Sequence, residues 1–95
     1  MYDGYRHLVR DHVYDKCWHL DITWAEVERL LDTGEVIEEH DLGTEGRKQI
    51  RLLLDWLRPL HLVYVVNDSA QIVVYRTLYE PDTEHWHAGF RQRRR

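Results

Sequence analysis

The hydrophobic positions of this chain repeat with a helical period at first and with a period of two later on. Leu8, Val9, Val13, Cys17 and Leu20 recur at three- and four-residue intervals, which predicts an amphipathic helix over roughly Tyr5–Leu20. A second helix start follows in Thr23-Trp24-Ala25-Glu26. This is a capping box: the Thr23 hydroxyl accepts the third backbone N–H and the Glu26 carboxylate reaches back. Trp24, Val27, Leu30 and Leu31 form the stripe behind it, and Gly34 stands where a left-handed C-terminal cap is expected.

After Gly34 the pattern alternates. Glu35–His40 reads as a first strand, closed by the turn-rich Asp41–Gly46. Ile50, Leu52, Leu54 and Trp56 alternate with Gln49, Arg51, Leu53 and Asp55 as a second strand. Arg58-Pro59 marks the next turn, because proline cannot donate into a ladder. His61–Val66 and Ile72–Tyr79 are β-branched and aromatic runs joined by Asn67–Ala70, a hairpin connection. Glu80-Pro81-Asp82 stops the last strand, and a short C-terminal helix is expected from Asp82 or Thr83. Helices before strands, with hairpin-length links, predict an α+β fold: two N-terminal helices packed on one face of a four-stranded antiparallel sheet. The other face would be open to a ligand.

Composition narrows this picture. The chain's 95 residues suit a single domain over 1–95, and 43% hydrophobic with 32% charged residues is a globular balance. No apolar run approaches the roughly 20 residues of a membrane span, and the N-terminus lacks the pattern of a secretory signal. Cys17 is the one cysteine, so no intrachain disulfide can form; its place in the apolar stripe marks it as a packing residue. These features point to the cytoplasm. The net charge of −4 lacks the basic footprint usual for nucleic-acid binding. Charge is segregated, however, with acids concentrated in Glu26–Asp41 and four arginines in the tail at 91–95. Such a tail reads first as a solvated terminus, and otherwise as a contact for phosphates, a membrane surface or an acidic partner.

One set of side chains has the makings of a reaction centre. His12, Lys16 and His19 fall at i, i+4 and i+7, on one flank of the predicted helix. Arg58 and His61 flank the start of the third strand; Arg76, Thr77 and Tyr79 close the fourth. Acid–base chemistry beside an anion such as a phosphate needs a base near neutral pH, a proton donor, and cations. Histidine suits the first two tasks, arginine and lysine the third. Plainer readings compete: His12 as a surface histidine, Lys16 as a solvated lysine, Arg58 as a partner of Asp55, Tyr79 and Trp86 as packing. His85-Trp86-His87 invites zinc, but a single cysteine and the lack of paired ligand spacings argue against a metal site. No cofactor is expected.

The order of motifs resembles the bacterial family catalogued as domain of unknown function 4258. The resemblance rests on His12 and Lys16, then Ile22-Thr23-Trp24-Ala25-Glu26-Val27, and Gly34-Glu35-Val36-Ile37-Glu38. It continues through Arg58-Pro59-Leu60-His61 and Thr77-Leu78-Tyr79-Glu80-Pro81-Asp82 to Trp86. One position departs from the pattern: Leu20 stands where the family carries a second basic residue, with His19 beside it. That family is similar in outline to the RelE-like and BrnT-like toxins of bacterial toxin–antitoxin systems. The resemblance implies a RelE-like fold and a metal-independent endoribonuclease that leaves a 2′,3′-cyclic phosphate. His12, Lys16, Arg58, His61 and Tyr79 would be catalytic; His19, Arg76 and Thr77 would contact substrate. The implied partners are RNA (messenger RNA, on or off the ribosome), an antitoxin protein and a second copy in a homodimer, with no membrane. A non-enzymatic interaction module on the same fold, or a small-molecule binder, are the alternatives, because fold analogy alone carries little functional weight.

Overall fold

The computed structural model describes residues 1–95. Its elements run β1 (Arg6–Val9), α1 (Asp11–Leu20), α2 (Trp24–Leu31), β2 (Glu35–Asp41), β3 (Arg47–Leu53), β4 (Leu60–Asn67) and β5 (Ile72–Tyr79). A 3₁₀ turn at Gly43–Glu45 joins β2 to β3. The strands form one sheet in the order β1-β5-β4-β3-β2. Neighbours are antiparallel except β1, which lies parallel to β5 with Arg6 opposite Ile72 and Val9 opposite Tyr75.

This corrects the expected fold in two places. The sheet is five-stranded and mixed, not four-stranded and antiparallel, because Arg6–Val9 leave the helix and pair with β5. Leu8 and Val9 are in phase with the apolar stripe of α1, so local periodicity assigns them to the helix; the pairing that makes them a strand lies more than sixty residues away. The second correction concerns the C-terminus, where no helix forms. Asp82 starts a turn by accepting from the Glu84 and His85 amides at 2.9 and 2.8 Å. The chain then folds back on itself: His87 N–H donates to Gln92 O, Arg94 N–H donates to His85 O, and Trp86 bridges to Arg93. Gly89 and Phe90, both at positive φ, make the bend.

Both helices pack on one face of the sheet. Val13 and Cys17 of α1 and Val27, Leu30 and Leu31 of α2 join Leu53, Leu60, Leu62, Tyr64, Val73, Tyr75 and Leu78 in the main core. The Thr23 hydroxyl accepts the Glu26 amide at 3.1 Å as the sequence implies, but it also donates to Glu26 Oε1 at 3.3 Å, so the carboxylate does not reach the Thr23 amide. Gly34 is not a left-handed cap. A Cβ there would stand 2.8 Å from the Arg51 side chain. Arg51 fills that space and donates to Leu31 O, Gly34 O and the Tyr64 hydroxyl, tying the end of α2 to the sheet.

The second face is covered by the C-terminal hairpin. Trp86 is buried against Ile50 and Val63, with Ile37, Tyr79 and Phe90 packed around them. No helix is long and apolar enough to cross a membrane.

Candidate functional site

The short β1 determines where the candidate site lies. β1 stops at Val9, the Arg10 amide donates to Tyr75 O at 3.2 Å, and α1 begins at Asp11. From Arg76 onward β5 therefore has no strand on its outer side. Into this free edge α1 sends its second residue. His12 Nε2 lies 3.0 Å from Thr77 Oγ1. A bulge sharpens the geometry: β4 and β5 shift register between Val63 and Tyr64, so Thr77 pairs with Val63, Tyr75 with Tyr64, and Arg76 between them is left over and exposed.

Lys16 is one turn along α1 from His12 and half-buried, and His19 is one turn further and exposed. Neither Lys16, His19 nor Arg76 meets a carboxylate within ion-pair distance. Arg58 lies at the far end of α1, donating to Leu20 O at 3.3 Å, with Nε 3.4 Å from Glu80 and its guanidinium 5.2 Å from the Trp56 ring centre. Its partner is thus Glu80, not Asp55.

His61 and Tyr79 form a second pair on the hairpin-covered face. Tyr79 is two residues past Thr77, about 7 Å along the strand. The His61 Nε2 lies 2.9 Å from Phe90 O, which can only accept, so Nε2 carries the proton and Nδ1 accepts from the Tyr79 hydroxyl at 3.1 Å. Burial pushes the His61 imidazole below its ordinary range, against the pull of the Phe90 carbonyl. Burial likewise raises the Tyr79 phenol, which stays protonated. His61 is 0% exposed, with both nitrogens satisfied and its ring 4.4 Å from that of Trp86. It is placed to hold the hairpin rather than to meet a substrate.

The structure thus brings His12 to Thr77 and His61 to Tyr79 on neighbouring positions of β5. It leaves Lys16, His19 and Arg76 free beside the first pair, and ties Arg58 to Glu80. Trp86 packs as its plainer reading has it, but sequence reasoning missed Phe90 and the place of both over His61; two large apolar residues in a polar tail were the available sign. No three His, Cys, Asp or Glu side chains gather in a way that would hold a metal ion. The larger concavities lie elsewhere. A groove of about 850 Å³ runs between β2 and the arginine tail, and a cleft of about 560 Å³ opens among His7, Tyr14, Trp24, Glu28 and Tyr75.

Fold and site define a small α+β domain in which a helical histidine closes on the free edge of a mixed sheet. The chain belongs to the family described as domain of unknown function DUF4258, whose model matches residues 9–80. That match runs from the end of β1 to the residue after β5, and the C-terminal hairpin lies beyond it. Neither the curated proteins nor the solved structures contain a match.

Proposed function

We propose that this domain is a metal-independent endoribonuclease of the toxin type, with its reaction centre at the β5 edge. The observation that carries the reading is the exposed His12 imidazole 3.0 Å from Thr77 Oγ1, beside the unpaired cations Lys16 and Arg76. In this scheme His12 takes the proton of an RNA 2′-hydroxyl. The 2′-oxygen bonds to phosphorus and the bond from phosphorus to the 5′-oxygen breaks, leaving a 2′,3′-cyclic phosphate. Lys16 and Arg76 offset the charge that builds on the phosphoryl oxygens. The leaving oxygen takes a proton from water at the open edge, because the Tyr79 hydroxyl is engaged with His61 on the covered face, and Thr77 orients the His12 ring. Arg58 and His19 stand along α1 as contacts for flanking phosphates. RNA is the substrate on this reading, and an antitoxin protein would be the natural antagonist.

The test is RNA incubated with purified protein in chelator, with fragment ends mapped. Wild type should release 2′,3′-cyclic ends, and His12→Ala should lower the rate by about a hundredfold or more with its circular dichroism unchanged. Intact RNA with folded wild type, whether free or ribosome-bound, or equal rates for the two proteins, would overturn the assignment. A second reading, a non-enzymatic interaction module, is favoured by Trp18 and Leu57, which are 83% and 87% exposed.

A further inference from the structure

The arginine tail, which the proposed reaction does not use, is built into a groove. Arg91, Gln92, Arg93, Arg94 and Arg95 line it together with His40, His87 and Glu38, and no hydrophobic residue contributes. Its shape is held by the hairpin. Arg93 pairs with Glu38 at 2.8 Å and lies over the Trp86 ring at 4.6 Å, while Arg91 pairs with Glu35 at 2.6 Å. Arg94 Nε donates to Thr83 O and Trp86 O, which fixes the guanidinium without neutralising it. Arg95 has no carboxylate partner at all. A terminus that was merely solvated would not be ordered by a bridge, two ion pairs and a stacked tryptophan.

We infer that this groove is an anchoring site for the phosphodiester backbone of single-stranded RNA, distinct from the His12 centre. Arg94 and Arg95, which meet no carboxylate, face the same concavity as the ion-paired Arg91 and Arg93, and a guanidinium offers the bidentate donors that phosphates take best. Register gives the spacing. Glu38, Ile50, Val63 and Thr77 form one row across β2, β3, β4 and β5, so the Arg93 end lies three strand spacings, about 14 Å, from Thr77. One short oligonucleotide within the usual site size of single-strand binders spans that distance. The inference rests on RNA being the substrate, but it concerns residues outside the family match and is read by binding rather than cleavage.

The test measures fluorescence anisotropy of a dye-labelled RNA of about twelve nucleotides. It uses the His12→Ala protein, so that no cleavage intervenes. Adding Arg94→Glu/Arg95→Glu should weaken binding at least tenfold and flatten the salt dependence by about 1.4 log units per log unit, the share of two lost phosphate contacts. Because Arg94 also holds the hairpin, His87→Glu/Arg95→Glu serves as a second variant; neither side chain makes a hydrogen bond, and the loss should recur. Unchanged affinity and slope in the second variant would overturn the anchor. So would equal binding of a glutamate-rich peptide of the same length. RNA that binds through the groove but is never cut by wild type would sink the nuclease while leaving the anchor standing.

Discussion

The two faces of the sheet are covered by unlike means. The helix face buries a cluster of fourteen side chains contributed by both helices and all the central strands. On the hairpin face the cluster has three, Ile50, Val63 and Trp86. The rest of that cover is directional: His61 held between Tyr79 and Phe90, and Arg91 and Arg93 reaching Glu35 and Glu38. Apolar burial responds weakly to protons and salt, whereas hydrogen-bonded and charged contacts respond to both. The comparison teaches that one face supplies the fold and the other is an adjustable cover. The hairpin should therefore open under conditions that leave the helices packed.

The largest effect should come from the helix face. Leu62 is 0% exposed in the middle of β4, and Leu62→Ala removes its methyls and leaves a cavity. The expected cost is about 2–5 kcal/mol, a large part of the stability of a domain this size. Urea unfolding followed by circular dichroism should show the midpoint falling, with all probes moving together. Phe90→Ala should instead expose the hairpin amides to hydrogen exchange while the urea midpoint barely moves. If the two substitutions gave the same pattern, the faces would not be separable.

The same contrast explains what was legible in the sequence. The helix face could be read locally: Thr23 and Glu26 open α2 where the capping pattern places it, and Ile72–Tyr79 is a strand to the residue. Cys17 is buried in the stripe that its spacing assigns to the core. Nonlocal features were not legible. β1 exists only because it meets β5, and a four-residue strand is too short to alternate. Gly34 looked like a cap because caps are where glycine is commonest after a helix, yet its role is to admit Arg51 from a strand that comes later. At the candidate site, helical spacing placed His12, Lys16 and His19 on one helix, and α1 holds all three. It could not say that Thr77 would meet His12, since that contact depends on the β5 bulge. Nor could it say that His61 would be sealed by Phe90.

A middle-sized effect should follow pH. His61 has its folded pKa below the unfolded value of about 6.5, so the unfolded or released form binds the proton more tightly. Its contribution to the cover is full above about pH 6.5 and is lost as pH falls toward the folded pKa. Glu38 adds a second step. Burial alone would raise its carboxyl, but hydrogen bonds from His40 and Arg93 outweigh burial and hold it below the ordinary range. Its contribution is present above about pH 4.5 and fades below that. Hydrogen exchange at the Phe90 and Arg94 amides should therefore quicken in two steps on acidification, while the Val13 and Leu62 amides stay protected through the first. In His61→Gln the upper step should vanish and the lower remain; a surviving upper step would locate the titration elsewhere.

The smallest effect separates the two ion pairs. Arg91 and Glu35 are both about half exposed, at 49% and 52%, whereas Glu38 is 17% exposed and its partner Arg93 also covers Trp86. Exposed pairs contribute about 0–1 kcal/mol and are screened by salt, while a shielded pair on an aromatic face is screened less and adds a cation–π contact. Arg91→Ala should thus change hairpin opening by no more than a few-fold, and only at low salt. Arg93→Ala should change it more, with the difference persisting in high salt. Equal, fully salt-sensitive effects would mean that both are ordinary surface pairs and that the contact of Arg93 with the Trp86 ring contributes nothing. The part of the hairpin's hold that salt cannot reach would then rest on His61 and on the packing of Trp86 and Phe90 against Ile50 and Val63.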